Sequence, residues 1–251
     1  MRRLLTPRFV ALHLLVVVLV AVMVNLGVWQ LSRLDEKRAA NAIIEARADD
    51  NPVDIATLRG SGALDPAENE WRSVVISGSY DPARAVTVLN RSAEGIAGTH
   101  SVAPFRSDDG RWIWVNRGFV PLAESTPAAP TGSLTVVGHL KRSEKRGTLG
   151  AVDSTDSSTV EFQRLDVPLL NKLLTADDGS VETMFLLLAK ESPETSDTWP
   201  ARIPLPPLDE GSHLSYAGQW FLFSAVAVGG WLVIVRRSIR QSRESTSDAA
   251  A

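Results

Sequence analysis

Residues 9–31, FVALHLLVVVLVAVMVNLGVWQL, carry no charged side chain, and neither do residues 214–235, LSYAGQWFLFSAVAVGGWLVIV. At 1.5 Å per residue, stretches of this length reach about 33–35 Å as helices, enough for a hydrocarbon layer of about 30 Å. A helix packed on a soluble core normally keeps a polar face. Neither stretch has one, so both are expected to cross a membrane. A cleaved leader fits the first stretch poorly, because its apolar run exceeds the usual h-region of about 7–15 residues. It also ends in Trp29-Gln30-Leu31-Ser32-Arg33 rather than in a small-x-small cleavage site.

Working outward from these two anchors, the chain divides into a tail at 1–8, a first span at 9–31, a long segment at 32–213, a second span at 214–235 and a tail at 236–251. The first span is flanked by Arg2, Arg3 and Arg8 on one side and by Arg33, Lys37 and Arg38 on the other, so it does not orient itself. The second is followed by Arg236, Arg237, Arg240 and Arg243, and only Arg202 lies within about 15 residues before it. This bias puts both termini in the cytoplasm and the central segment outside. That segment has a net charge of −8, against +3 at the N-terminal end and +2 at the C-terminal end. An acidic body argues against nucleic acid as a partner. The 251 residues contain no cysteine, so an exported domain has no disulfides to lean on, and Cys-based copper or redox sites are excluded.

After the first span, Leu34, Ile43 and Ile44 among charged residues and alanines predict a helix continuing to about Ala48, stopped by Asn51-Pro52. From Trp71 the pattern turns to short strands: 71–80, 85–89, 99–106, 111–120 and 134–140. Ser107-Asp108-Asp109-Gly110 marks a hairpin turn. Met184 to Leu188, within a strand at 183–190, reads as buried on both faces. Residues 167–174 suggest a short amphipathic helix. Residues 124–133 and 141–159 carry little order signal, and five prolines make 192–212 an extended spacer back to the membrane. The expected fold class is α+β: two transmembrane helices flanking a mostly antiparallel-β extracytoplasmic domain with minor helix, in effect α+β or a small barrel.

Enzyme signatures are missing: there is no GxSxG, HExxH, P-loop or GxGxxG. The aromatic residues of Trp112-Ile113-Trp114 recur at period two and fit a strand face. Arg117 before Gly118 fits a functional turn or a structural salt bridge. His13, near the start of the first span, and His100 and His139, in predicted strands, read as structural. His213 stands at the outer mouth of the second span. It is either an interfacial histidine in an aromatic belt with Tyr216, Trp220 and Trp29, or an axial haem ligand through a neutral imidazole nitrogen. Antiparallel packing puts Trp29, Gln30 and Arg33 at the same depth, where Arg33 can meet a propionate and Gln30 and Gln219 can donate hydrogen bonds. Hydrogen bonding between the two helices is the simpler use of the intramembrane amides Asn25, Gln30 and Gln219.

Four stretches, in order, resemble one known family. They are Gly27-Val28-Trp29-Gln30-Leu31-Ser32-Arg33-Leu34-Asp35-Glu36-Lys37, Gly98-Thr99-His100-Ser101-Val102-Ala103-Pro104-Phe105, Val115-Asn116-Arg117-Gly118-Phe119-Val120-Pro121, and His213-Leu214-Ser215-Tyr216-Ala217-Gly218-Gln219-Trp220-Phe221-Leu222-Phe223. Together they resemble the surfeit-locus cytochrome oxidase assembly family over nearly the whole chain. Phe119 stands where many members have tryptophan. The resemblance implies a membrane-anchored factor without enzymatic activity, acting in biogenesis of haem–copper cytochrome c oxidase and placing haem a into the catalytic subunit. It implies His213 as the iron ligand, and subunit one of the oxidase and haem-biosynthesis proteins as partners. The expected location is a bacterial cell membrane. The competing expectation is a scaffold that contacts the oxidase without binding cofactor.

Overall fold

The structure, a computed structural model, describes residues 6–60, 62–148, 150–154, 156, 158–174, 179–195 and 198–247. Parts of the expected tails (1–5 and 248–251) and positions 149, 155 and 157 of the expected loop lie outside the described residues. The chain forms two units: one comprises the long helices and their flanks, the other runs from Ile43 to Pro207.

Helix α1 (Pro7–Arg47) continues well past the end of the apolar run, as its alanines and scattered aliphatics predict. Helix α5 (His213–Ser247) starts one residue before the second run. Both are long and apolar enough to cross a membrane. They pack antiparallel. Trp231 Nε1–H donates to His13 Nδ1 at 2.8 Å, and His213 and Gln30 meet at 2.9 Å. Seventeen residues separate the two contacts on α1 and eighteen on α5, about 26 and 27 Å of rise, so the helices stay in step between them. At Gly27 the two helices are close, and an added Cβ would stand 2.6 Å from the Phe221 ring. Of the three amides in the apolar runs, only Gln30 bonds across the helices among the described residues. Asn25 turns back to its own Ala21 carbonyl at 2.7 Å, and Gln219 is exposed.

In the other unit, β1 (Val53–Asp54), α2 (Ile55–Arg59) and α3 (Pro66–Asn69) precede β2 (Ser73–Tyr80). Then come β3 (Val86–Ala93), β4 (Ile96–Ser107), β5 (Trp112–Pro121), β6 (Leu134–Arg142), β7 (Glu161–Phe162), α4 (Val167–Leu170) and β8 (Val181–Ser192). The short helices start where a side chain is ready to cap them: Asp54 accepts from Ala56 N, Asp65 from Ala67 N and Asp166 from Leu169 N. The β4–β5 hairpin turns at Ser107–Gly110 as its residues predict, with Gly110 at φ 86° and its N–H on the Ser107 carbonyl at 2.8 Å.

Strand β2 pairs with both β6 and β4, and the cycle β2–β6–β8–β5–β4 closes on itself. Alternate residues of all five strands fill its interior, among them Val74, Ile76, Phe105, Ile113, Val115, Val136, Leu140 and Leu186. This is a small barrel packed solid with side chains. The sheet is mostly antiparallel, as expected, but it is mixed. Among the described residues five pairings are antiparallel, while β1–β2, β3–β7 and β5–β8 are parallel. The last arises because β8 inserts between β5 and β6, and a parallel pair needs a long crossover. A second core covers the barrel's outer face, where Val86, Val88, Trp112, Trp114 and Phe185 meet Phe162, Leu165, Val167 and Leu170. Of the stretch expected to be a loop (141–159) the first two residues belong to β6; β7 begins just after it, and the residues following β7 close this core.

The proline-rich spacer also differs from expectation. Phe119 and Ala201 exchange both backbone hydrogen bonds at 2.8 Å, so residues 199–202 lie along β5. Gly118 makes this approach possible: its φ is 140°, and an added Cβ would stand 2.2 Å from the Ala201 carbonyl oxygen. Arg202 fastens the segment, donating from Nη1 to the Arg117 carbonyl at 2.8 Å and from Nη2 to the buried Glu191 at 2.9 Å. Arg117, flagged in the sequence as a turn or a salt-bridge residue, is buried. Its guanidinium donates to the Pro127 carbonyl at 3.0 Å and lies over the Tyr80 ring at 5.7 Å.

Candidate functional site

The site nearest to the sequence expectation is the rim of the helix hairpin. His213 opens α5 and is half-buried; the first turn of a helix exposes its side chains toward the preceding loop, here Asp209-Glu210-Gly211. Gly211, at φ 66°, bends the chain so that the loop clears the imidazole, and an added Cβ there would meet the ring at 3.5 Å. The same loop is tied to α1 by Arg38, which donates to both Glu210 oxygens at 2.7 and 2.9 Å, and by Asn41 Nδ2 on the Asp209 carbonyl at 2.9 Å. Each partner of the Arg38–Glu210 pair pulls the other toward its charged form, raising the guanidinium pKa and lowering the carboxyl.

Gln30 decides the chemistry of the rim. Its Oε1 stands 2.9 Å from His213 Nδ1. A carbonyl oxygen can only accept, so Nδ1 carries a proton, and in the neutral ring the lone pair is on Nε2. Among the described residues Nε2 has no partner. A neutral imidazole fixed by its other nitrogen is the usual arrangement of a metal-ligating histidine. Not every residue expected at this site is brought there. Arg33 pairs with Glu36 one turn along α1, an exposed ion pair that a stronger anion can displace at small cost. Trp220 lies half-buried on the flank of the helix contact, while Tyr216 and Gln219 are exposed.

A second cavity, of about 450 Å³, lies on the barrel between the β3–β4 hairpin and the proline-rich segment, lined by His100, Phe119, Trp199, Ile203 and Leu205. The sequence reading treated His100 as a strand histidine, and its setting was not foreseen. Gly118 N–H donates to Asn116 Oδ1 at 3.2 Å, which turns the amide nitrogen toward His100 Nδ1 at 3.1 Å. Nδ1 therefore accepts, and the ring carries its proton on Nε2, the opposite tautomer to that of His213. Burial, aided by Arg91, lowers the His100 pKa from 6.5 to about 4. Below 6.5 the unfolded chain binds a proton that the folded chain refuses, so stability falls as pH drops from 6.5 to 4. The expected loss is about 2 kcal/mol after allowing for the ring's partial exposure. Urea titrations at pH 7 and pH 4.5 on wild type and His100→Asn check this: the variant should lose less on acidification. His139 instead donates from Nε2 to the Ala48 carbonyl at 3.0 Å, a structural contact.

The fold and the rim define a class: a chain whose terminal apolar helices, joined by side-chain hydrogen bonds near both ends, flank a small β-barrel domain in sequence. Residues 17–225 match the model of the SURF1 family, most of the chain, and the protein belongs to that family. A SURF1-like protein of Mycobacterium bovis is 28% identical over 247 residues, covering 96% of this chain and 88% of that protein. Surfeit locus protein 1 of Mus musculus is 26% identical, covering 85% of this chain and 72% of the mouse protein. A SURF1-like protein of Rickettsia felis is 25% identical, covering 90% and 97%.

Proposed function

We propose that this chain is a membrane-anchored assembly factor for haem–copper cytochrome c oxidase, and that His213 at the hairpin rim receives haem a on its way to the catalytic subunit. The observation that carries this reading is the Gln30 Oε1–His213 Nδ1 contact, which leaves a lone pair at Nε2. Among the described residues no three His, Cys, Asp or Glu side chains converge. A lone imidazole suits an iron whose equatorial positions are filled by a macrocycle. Haem, when bound, would supply an iron that one imidazole nitrogen can coordinate. The chain's own part is to hold the imidazole in one tautomer against Gln30. Arg33, one turn along α1, is the cation for a propionate once it leaves Glu36. Because one ligand and an exposed rim give modest affinity, the site suits a carrier that must also release its cargo. No bond-making chemistry is assigned to it. The reading places both termini in the cytoplasm and the barrel domain outside, with subunit one of the oxidase and haem-biosynthesis proteins as partners.

The purified full-length chain is expected to take up haem with a Soret band. His213→Ala should abolish the band, and Gln30→Leu should weaken haem affinity about 10–100-fold by freeing the ring. Unchanged binding in His213→Ala overturns the site assignment. A wild-type chain that captures oxidase subunit one but shows no haem spectrum favours the scaffold reading.

A further inference from the structure

Asn25 lies on the exposed flank of α1. At 100° per residue, Val18, Val22, Asn25 and Trp29 share one stripe of α1, on the far side from Met23 and Gly27, which are buried against α5. The stripe encloses a shallow groove of about 580 Å³, lined by Val18, Ala21, Val22, Asn25, Leu26 and Trp29. Ala21 keeps its floor low. Asn25 lies about 9 Å inside the end of the apolar run, below the headgroups. Its Nδ2 donates one hydrogen to the Ala21 carbonyl at 2.7 Å. Its second N–H and its Oδ1 have no partner among the described residues. Lipid tails offer neither donor nor acceptor, so a polar group left in this state drives association with something that does.

We propose that this groove receives the same face of a second copy of the chain, with the two Asn25 side chains bonded to each other. The amide itself selects this occupant. A carboxamide carries a donor and an acceptor on one group, so a two-fold axis along the membrane normal sets each Nδ2–H against the other copy's Oδ1. Both remaining needs are then met at one depth by one residue type. Ala21, one turn before Asn25, lets the two helix backbones come close enough for the exchange, as small residues do at packed membrane helices. The hairpin contacts at Gly27 and at His213 are on the opposite side of α1 and are left intact.

The chain contains no cysteine, so single-cysteine variants report the interface without background. In proteoliposomes of the full-length chain, mild oxidation is expected to join Val18→Cys and Val22→Cys into a dimer of twice the chain's mass. Val17→Cys and Val24→Cys, about a quarter-turn or more away, should cross-link several-fold less. Adding Asn25→Leu to Val22→Cys should cut the cross-linked fraction about tenfold at fixed protein-to-lipid ratio, and Asn25→Gln should restore it. Equal cross-linking at all four positions, none at any, or no effect of Asn25→Leu overturns the proposal. So does capture of a different membrane protein, rather than a second copy, when Val22→Cys is oxidised in native membranes.

Discussion

Replacing Arg59 by methionine is expected to cost the barrel domain about 3–5 kcal/mol, the range for breaking a buried ion pair from one side. Arg59 ends α2, and its side chain is only 3% exposed. Its Nε lies 2.5 Å from Glu182 Oε1, its Nη1 bonds Asp109, and Glu182 is 1% exposed at the start of β8. Arg111, at 3.7 Å, is the other cation near that carboxylate, and it is half in solvent. Burial already raises the Glu182 pKa against the pull of Arg59 and Arg111. Removing Arg59 lifts it further, and the variant should respond by taking up a proton. The sign follows: a folded-state pKa raised above the unfolded value stabilises at low pH and loses that contribution as pH rises through it. The deficit of Arg59→Met should therefore widen between pH 5 and pH 8. Arg59→Met with Glu182→Met removes the stranded charge and is expected to recover to within about 1 kcal/mol of wild type. Denaturant titrations of the full-length protein in detergent, read by near-UV circular dichroism, check both. A double variant no more stable than the single one would show that the pair does more than neutralise itself.

Trp114→Ala is expected to cost about 3–5 kcal/mol and to lower the melting temperature by about 10 °C. The indole is fully buried, and its Nε1–H donates to Asn171 Oδ1 at 2.9 Å. The substitution opens a cavity between β5 and the α4 turn and strands the Asn171 carbonyl as well. Trp114→Phe keeps most of the volume and should cost about 1–2 kcal/mol. Because the indole joins the barrel to residues 161–174, hydrogen exchange in that segment should accelerate in Trp114→Ala more than in β2 or β6. Equal acceleration everywhere would mean that the outer core has no separate role.

These positions show where sequence reading stops. Trp112 and Trp114 at period two are legible as one face of a strand, and that face is the outer core. Ile113 and Val115 between them line the barrel interior, so β5 is buried on both faces. Strand periodicity shows alternation, while the cover on each face is supplied by residues far along the chain. Glu182 reads as an ordinary polar residue at a strand start, because nothing nearby in the chain announces Arg59. At the rim, the depth match of Gln30 with His213 was legible, since both helices rise equally from one surface. Which amides turn inward was not. That depends on rotation about each helix axis, set by Gly27 against Phe221, and it leaves Asn25 and Gln219 outside.

By itself, then, the sequence determined the two membrane-length helices, the continuation of α1 beyond the first, most of the strands and the hairpin turn at 107–110. Each of these depends on neighbours within a few residues: uninterrupted apolarity, period-two alternation, turn chemistry. Tertiary structure alone decided the closure of five strands into a barrel, the parallel insertion of β8 beside β5 and the proline-rich segment bound along β5 at Ala201. It also decided the opposite tautomers of His213 and His100. These are set by partners far apart in the chain, whose choice depends on how the whole core packs and on which polar atoms that packing leaves to be paired.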